Sequence, residues 1–425
     1  MKNPEMKSNR ISVIIPTRQR CDTLASCLRT VTQIDDADLE IIVSDNAGTD
    51  STRDVVFAHQ DSRVRYINPN KRLSMSTHWE YALGHATGDW VTILGDDDGL
   101  LPTTLATVRN IIRESSPDFI RSDCCGYLWP IKNQCAHGEL SVPTRSGWDF
   151  VDAKHALTQV LRGNESYRNL PVFYTGSFAS KSFIESMKDS SNRLYRSLVP
   201  DVYTGVRFSR GSKRFVASRT PLAINGASHH STGNSHCGNG DKTAAKLFAA
   251  ENDIPFHTDI PLMRSGEYPP SVHIITYESF LQCADAFPEI FKPLCHRTVL
   301  RNILLSAGNR RNEITQWGQD FATQHGLDFE KIVRHEFLFS WGRWLSSRTK
   351  KIWSQQYYTR VVGSAANPIH DVYAASRLVG RIHDSHGHSL QTACSNIASN
   401  LFAKALEKNR RFLMPFLSTS SMKAS

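Results

Sequence analysis

The sequence predicts a doubly wound, mostly parallel α/β sheet followed by a mainly α-helical C-terminal region. Three observations predict it. Short apolar, β-branched runs alternate with helical repeats from Ile11 to Ser122. Polar turns rich in Thr, Arg and Asp follow those runs. Beyond Asp241 the β-branched runs stop. Alternation of this kind builds a parallel sheet covered by helices, and ligands sit beyond the carboxyl ends of its strands.

Taken in order, Ile11–Pro16 (ISVIIP) reads as a buried strand and Thr17–Arg20 as the turn after it. Leu24, Cys27, Leu28 and Val31 recur at helical spacing, with Asp22 as candidate N-cap. Leu39–Val43 is the second strand and ends in Ser44-Asp45-Asn46. Thr49-Asp50-Ser51 caps a helix through His59, and Arg63–Ile67 is the third strand. Ser74 to Thr77 opens a helix with Trp79, Leu83 and Ala86 facing inward. Trp90–Leu94 is the fourth strand and runs into Gly95-Asp96-Asp97-Asp98-Gly99. A helix over Leu101–Ile112 and a strand over Asp118–Ser122 complete the pattern. Thr17–Arg20, Asp45-Asn46 and Asp96–Asp98 should therefore converge on one crevice.

After Ser141 the pattern loosens, with helices over Val151–Leu161 and Lys181–Lys188. Ser228–Gly240 is a His/Ser/Gly/Asn-rich loop. Tyr277–Phe287, Cys295–Ser306, Phe329–Leu345 and Ser395–Leu417 favour helix. The expected division is a tail over residues 1–10, a catalytic domain over 11–240 and a helical region over 241–425. Within the catalytic domain, 11–125 and 126–240 form two halves.

Composition narrows the class. With 40% hydrophobic and 21% charged residues, a disordered or collagen-like chain is excluded. No apolar run is long enough for a transmembrane helix, and the N-terminus does not read as a secretory signal. The nine cysteines include no C-x-x-C pair, so a reducing cytoplasm is expected. Of the net charge of +9, all resides after Trp341, where 12 Lys/Arg oppose only Asp371, Asp384 and Glu407.

Asp96-Asp97-Asp98 is the strongest chemical signal. Adjacent carboxylates repel one another unless a cation or hydrogen-bond donors compensate. A solvated acidic turn is the alternative, and placement after a buried strand favours function.

The segments ISVIIPTRQR, IIVSDNAGTDST, NKRLSMSTHWEYAL and WVTILGDDDGLLP, in that order over residues 11–102, resemble glycosyltransferase family 2, whose fold is GT-A. A weaker likeness through Leu198–Tyr203 and Gly226–Ser235 extends to about residue 236. The resemblance implies inverting, metal-dependent transfer from a nucleotide-sugar, with a UDP-sugar and Mn2+ or Mg2+ expected. It implies a glycan or lipid-linked acceptor and a role in bacterial surface polysaccharide or glycoconjugate assembly. It also assigns residues. Pro16, Thr17 and Arg18 would line base and ribose, and Asp45 would accept from the base edge. Lys71 or Arg72 would meet the diphosphate or base. Asp96 would hold the ribose or the metal through water, and Asp98 would bind the metal. Asp97 would be structural or touch the sugar.

The acceptor hydroxyl must lose a proton as it attacks, which calls for a carboxylate base. Asp201 in VPDVY is the candidate, with Asp189 and Glu185 behind it; a helix N-cap is the alternative for Asp201. In the family a histidine after the last core strand sometimes joins the metal. His230 is the choice here, ahead of His229 and His236, and a plain polar loop remains open. The basic C-terminus, with the amphipathic Phe402–Leu417, fits either a solvated helix or peripheral contact with an anionic membrane. No nucleic-acid-binding pattern accompanies the charge. A nucleotidyltransferase acting on a sugar phosphate and a non-catalytic basic binding protein are the rival readings. The first would usually begin with a Gly-rich phosphate loop, and the second needs no convergence of strand ends.

Overall fold

A computed structural model describes residues 9–131, 135–231, 247–248, 250–267, 271–307, 310–334 and 358–385. Two compact units divide the chain, Met1–Arg377 and Leu378–Ser425, and of the second only the end of one helix is described.

Four strands form the expected parallel half-sheet. They are β1 (Ile11–Thr17), β2 (Leu39–Asp45), β3 (Val64–Ile67) and β4 (Trp90–Ile93), in the order β3-β2-β1-β4. The register sets Thr17 beside Asp45, so both strands end at one level. Side chains alternate between faces, as strand geometry requires. Ile14, Ile42 and Ile93 join one apolar core, while Val13, Ile15, Ile41 and Val43 join the other.

The sheet then turns mixed. β10 (Phe178–Ser180) runs antiparallel between β4 and β6 (Phe119–Ser122), β11 (Arg214–Ser218) is parallel to β6, and β9 (Trp148–Asp152) closes the edge antiparallel. Three residues of β10 carry too little pattern to be read as a central strand. A smaller second sheet has the order β13-β8-β7-β12-β5. Its strands are β5 (Gly99–Leu100), β7 (Cys125–Leu128), β8 (Glu139–Pro143), β12 (Ala223–Ala227) and β13 (Tyr358–Val362). β13 is a strand within the region read as helical, and it pairs antiparallel with β8.

Helices α1 (Cys21–Thr32), α2 (Thr52–Ala58), α3 (Met75–Leu83) and α4 (Thr104–Ser115) connect the first strands. Ser74 caps α3 by accepting from the Thr77 N–H, as read. Asp22 does not cap α1: Arg20 holds the N-cap position and Asp22 lies in the first turn. Helices α5 (Ala153–Leu161), α6 (Lys181–Ser186) and α7 (Pro200–Gly211) follow. From residue 272, α8 (Val272–Ala286), α9 (His296–Ser306) and α10 (Arg311–Gln324) enclose a third core around Tyr277, Leu300, Trp317 and Phe321. α8 also extends the first core with Phe280 and Cys283. The last described helix is α11 (Val372–Ser385). Its first turns sit on α1 and β5: Ser376 donates to the Leu100 carbonyl and Arg29 stacks on Tyr373. Among the described residues no helix is long and apolar enough to cross a membrane.

Candidate active site

A crevice of about 740 Å3 opens beyond the carboxyl ends of β1, β2 and β4. That volume lies in the range of small-ligand sites. Pro16, Thr17, Arg18, Gln19 and Arg20 form one wall, and Asn46, Ala47 and Thr49 form the next. Met75, His78 and Trp79 of α3 make the floor, spaced i, i+3, i+4 on one helical face. Asp96 and His229–Ser231 complete the far side. Two non-glycine residues here adopt left-handed backbone, Gln19 (φ 55) and Ala47 (φ 52). Such conformations carry strain that surrounding structure must hold. The Gln19 side chain does so by accepting from the N–H groups of Thr49 and Asp50.

The three carboxylates are compensated from within. Asp96 accepts from the Thr17 hydroxyl at 2.8 Å and pairs with Arg20 at 2.9 Å. Asp97 accepts from the hydroxyls of Ser228 (2.6 Å) and Ser231 (2.7 Å), and its carbonyl accepts from Trp129. Asp98 accepts from the Gly226 N–H at 2.6 Å and from the Thr175 hydroxyl. Burial alone would lower the Arg20 pKa, but Asp96 and Asp97 outweigh it and hold the guanidinium firmly charged. Burial, and then Asp97, push the Asp98 pKa up. Arg20 therefore occupies the place in this charge balance that the sequence left to a cation. Asp98 is 1% exposed, lies outside the crevice wall and holds neutral donors on both oxygens.

The other expected residues are placed as follows. Pro16, Thr17, Arg18, Arg72, Asp96 and His230 line the crevice. Asp45 is buried one step short of it and accepts from the Gly48 N–H and the Tyr66 hydroxyl, while its neighbour Asn46 reaches the wall. Asp97 is buried and does not line the crevice. His230 faces Asp22 rather than Asp98, with Nε2 3.1 Å from both carboxylate oxygens. His229 Nε2 lies 3.8 Å from the same carboxylate. His236, the expected helix over Phe329–Leu345 beyond residue 334, and the expected helix over Ser395–Leu417 with its amphipathic Phe402–Leu417 lie outside the described residues.

Asp201 sits in the first turn of α7, where Val199 is the N-cap, so it is not a cap. Burial raises its pKa against the opposing Val202 N–H and the nearby Arg168. Its two alternatives are engaged elsewhere: Asp189 pairs with Arg196 and Glu185 with Lys188. Tyr174, which sequence reasoning missed, feels the charges of both Asp98 and Asp201 and stacks on Trp79 at 5.4 Å. His78 was also missed, and Arg20 was placed at the crevice without a role of its own. The spacing of His78 with Met75 and Trp79 was the available signal.

The crevice also receives a segment from beyond residue 241, against expectation. Leu247, Phe248 and Glu251 line it. Glu251 bridges Arg18, at 2.5 Å, and Arg72. Asp253 holds that segment on α3 by accepting from Ser74 and Thr77. No local pattern in the sequence announces a contact across more than 170 positions.

Residues 12–123 match the glycosyl transferase family 2 profile. This segment is a family 2 glycosyltransferase domain. The domain holds the crevice residues from Pro16 to Asp96, whereas Asp201, His230 and Glu251 lie after it. A GalNAc(5)-diNAcBac-PP-undecaprenol beta-1,3-glucosyltransferase of Campylobacter jejuni is 37% identical over 108 residues, 25% of this chain and 35% of that protein. A PGL/p-HBAD biosynthesis glycosyltransferase of Mycobacterium tuberculosis is 30% identical over 122 residues, 28% of this chain and 48% of that protein. The likeness thus spans a third to a half of these relatives. Among solved structures, S. aureus TarS 1-349 in complex with UDP-GlcNAc aligns with a TM-score of 0.40 at 14% identity, over 75% of this chain and 92% of that one.

Proposed function

We propose that the protein transfers a sugar from a nucleotide-sugar donor, UDP-linked in the first instance, to a glycan or lipid-linked acceptor with inversion at the anomeric carbon. The observation that carries this reading is the convergence of the family domain's strand ends on a crevice faced by Arg18, Arg20 and Arg72. Three guanidinium groups suit an anionic diphosphate. The Campylobacter relative is named for a lipid-linked substrate, which supports that acceptor class here.

In this reading Thr17, Asn46 and Asp96 orient the nucleoside, and Trp79 and His78 pack beneath it. Asp201 takes the proton from the acceptor hydroxyl as its oxygen attacks the anomeric carbon. The bond to the diphosphate oxygen breaks on the opposite face, and Arg18 and Arg72 receive the charge that develops there. Asp96 and Asp98 would hold a divalent cation, which would supply Lewis-acid stabilisation of that leaving group. Cytoplasmic residence and peripheral membrane contact through the basic C-terminus belong to the same proposal.

The test is Asp201→Asn. Turnover should fall by about 10²–10⁴ while nucleoside diphosphate affinity stays nearly unchanged. Because burial raises the Asp201 pKa, wild-type kcat/KM should rise with pH through a value above that of an ordinary carboxylate. A variant keeping more than about a tenth of wild-type turnover would remove Asp201 from the mechanism.

A further inference from the structure

We propose that Asp22, His229 and His230 form a site for a borderline divalent cation, such as Zn2+ or Co2+, at the mouth of the crevice and apart from Asp96–Asp98. One ligand atom from each residue lies within 4.8 Å of the others. His230 Nε2 is 3.1 Å and His229 Nε2 3.8 Å from the Asp22 carboxylate. A tetrahedral ion with ligands at about 2.0–2.1 Å has ligand–ligand edges of roughly 3.3 Å. The two separations bracket that edge and the third lies within 4.8 Å, so an ion would draw the ligand atoms together by rotation of the exposed side chains. Two imidazoles and one carboxylate favour borderline transition ions over Mg2+ or Ca2+, which prefer all-oxygen shells.

The ligands are held from behind, as functional metal sites require. Asp22 is fixed in the first turn of α1. Arg20 donates to the His230 carbonyl at 2.6 Å, and the His230 N–H donates to the Ser228 hydroxyl at 3.2 Å. Ser228 and Ser231 are anchored on Asp97. Asp97 thus acts through these hydrogen bonds to position the histidine loop, while the loop presents the ligand atoms. His229 is 60% exposed and Asp22 54%, which leaves coordination positions open toward solvent and the crevice. The acidic triad lacks that opening, being buried, with Arg20 paired to Asp96.

The experiment uses tag-free, full-length protein without donor or acceptor, so its outcome is independent of the transferase reading. Calorimetric titration with Zn2+ and Co2+ should show one site. Bound Co2+ should give the intense visible bands of a four- or five-coordinate nitrogen-containing shell. Asp22→Asn and His230→Gln should each weaken binding by about tenfold or more, whereas Asp98→Asn leaves it unchanged. In unmodified protein, Zn2+ should protect His229 and His230 from diethyl pyrocarbonate, read by peptide mass spectrometry; this needs no variant to fold. The proposal is overturned by faint octahedral bands, by unprotected histidines, or by binding that survives loss of Asp22 and His230. Loss of binding in Asp98→Asn alone would place the cation on the triad and overturn it equally.

Discussion

His78 gives a prediction whose size follows from the structure. Its ring is 4% exposed on the crevice floor, with Nε2 2.8 Å from the Ser44 hydroxyl. Burial, and then Arg18, lower its pKa from 6.5 to about 4. The unfolded chain binds a proton at this residue near pH 6.5 and the folded chain does not until about pH 4. Protons therefore favour unfolding in that window, and stability falls as pH drops from 6.5 toward 4. At 1.36 kcal/mol per pKa unit the full loss is about 3 kcal/mol, of which about 2 kcal/mol appears between pH 7 and pH 5. His78→Gln removes the titrating group and should remove that part of the pH slope. Urea unfolding at pH 7, 6 and 5 measures it for both proteins. Absolute stability can shift with the substitution, so the comparison is between slopes. Parallel pH dependence in wild type and His78→Gln would refute the claim that a neutral histidine is locked into the crevice floor.

Two further outcomes follow from the same region. Glu251→Gln frees Arg18 and Arg72, so nucleoside diphosphate should bind about two- to fivefold tighter by calorimetry, the size of a partly exposed ion pair; unchanged or weaker binding would show that Glu251 does not compete for those cations. A Cβ at Gly226 would lie 1.9 Å from the Asp97 carbonyl oxygen. Gly226→Ala should therefore destabilise the protein by about 1–3 kcal/mol and lower its melting temperature by several degrees, and an unchanged transition would contradict the close approach of β12 to the triad.

What the sequence determined by itself is the part carried by local pattern. The runs Ile11–Pro16, Leu39–Val43 and Trp90–Leu94 became β1, β2 and β4 because a strand buried on both faces must be continuously apolar. Parallel crossover then obliges their ends to meet, so the convergence of Thr17 and Asp96 was legible before any coordinate. The compensation of three adjacent carboxylates was legible too, as a requirement without a named partner.

Tertiary structure decided who met that requirement. Arg20, Thr175 and the group Gly226, Ser228 and Ser231 come from three separate stretches of chain. Nothing in their spacing distinguishes them from turn residues. The same holds for His230 facing Asp22 across 208 positions, and for Glu251 reaching Arg18 across 233. β10 and β13 joined their sheets through strand pairing, with too few patterned residues to declare themselves. Strand and helix periodicity are properties of neighbours along the chain, whereas charge balance and ligand geometry depend on distances that only the packed fold sets.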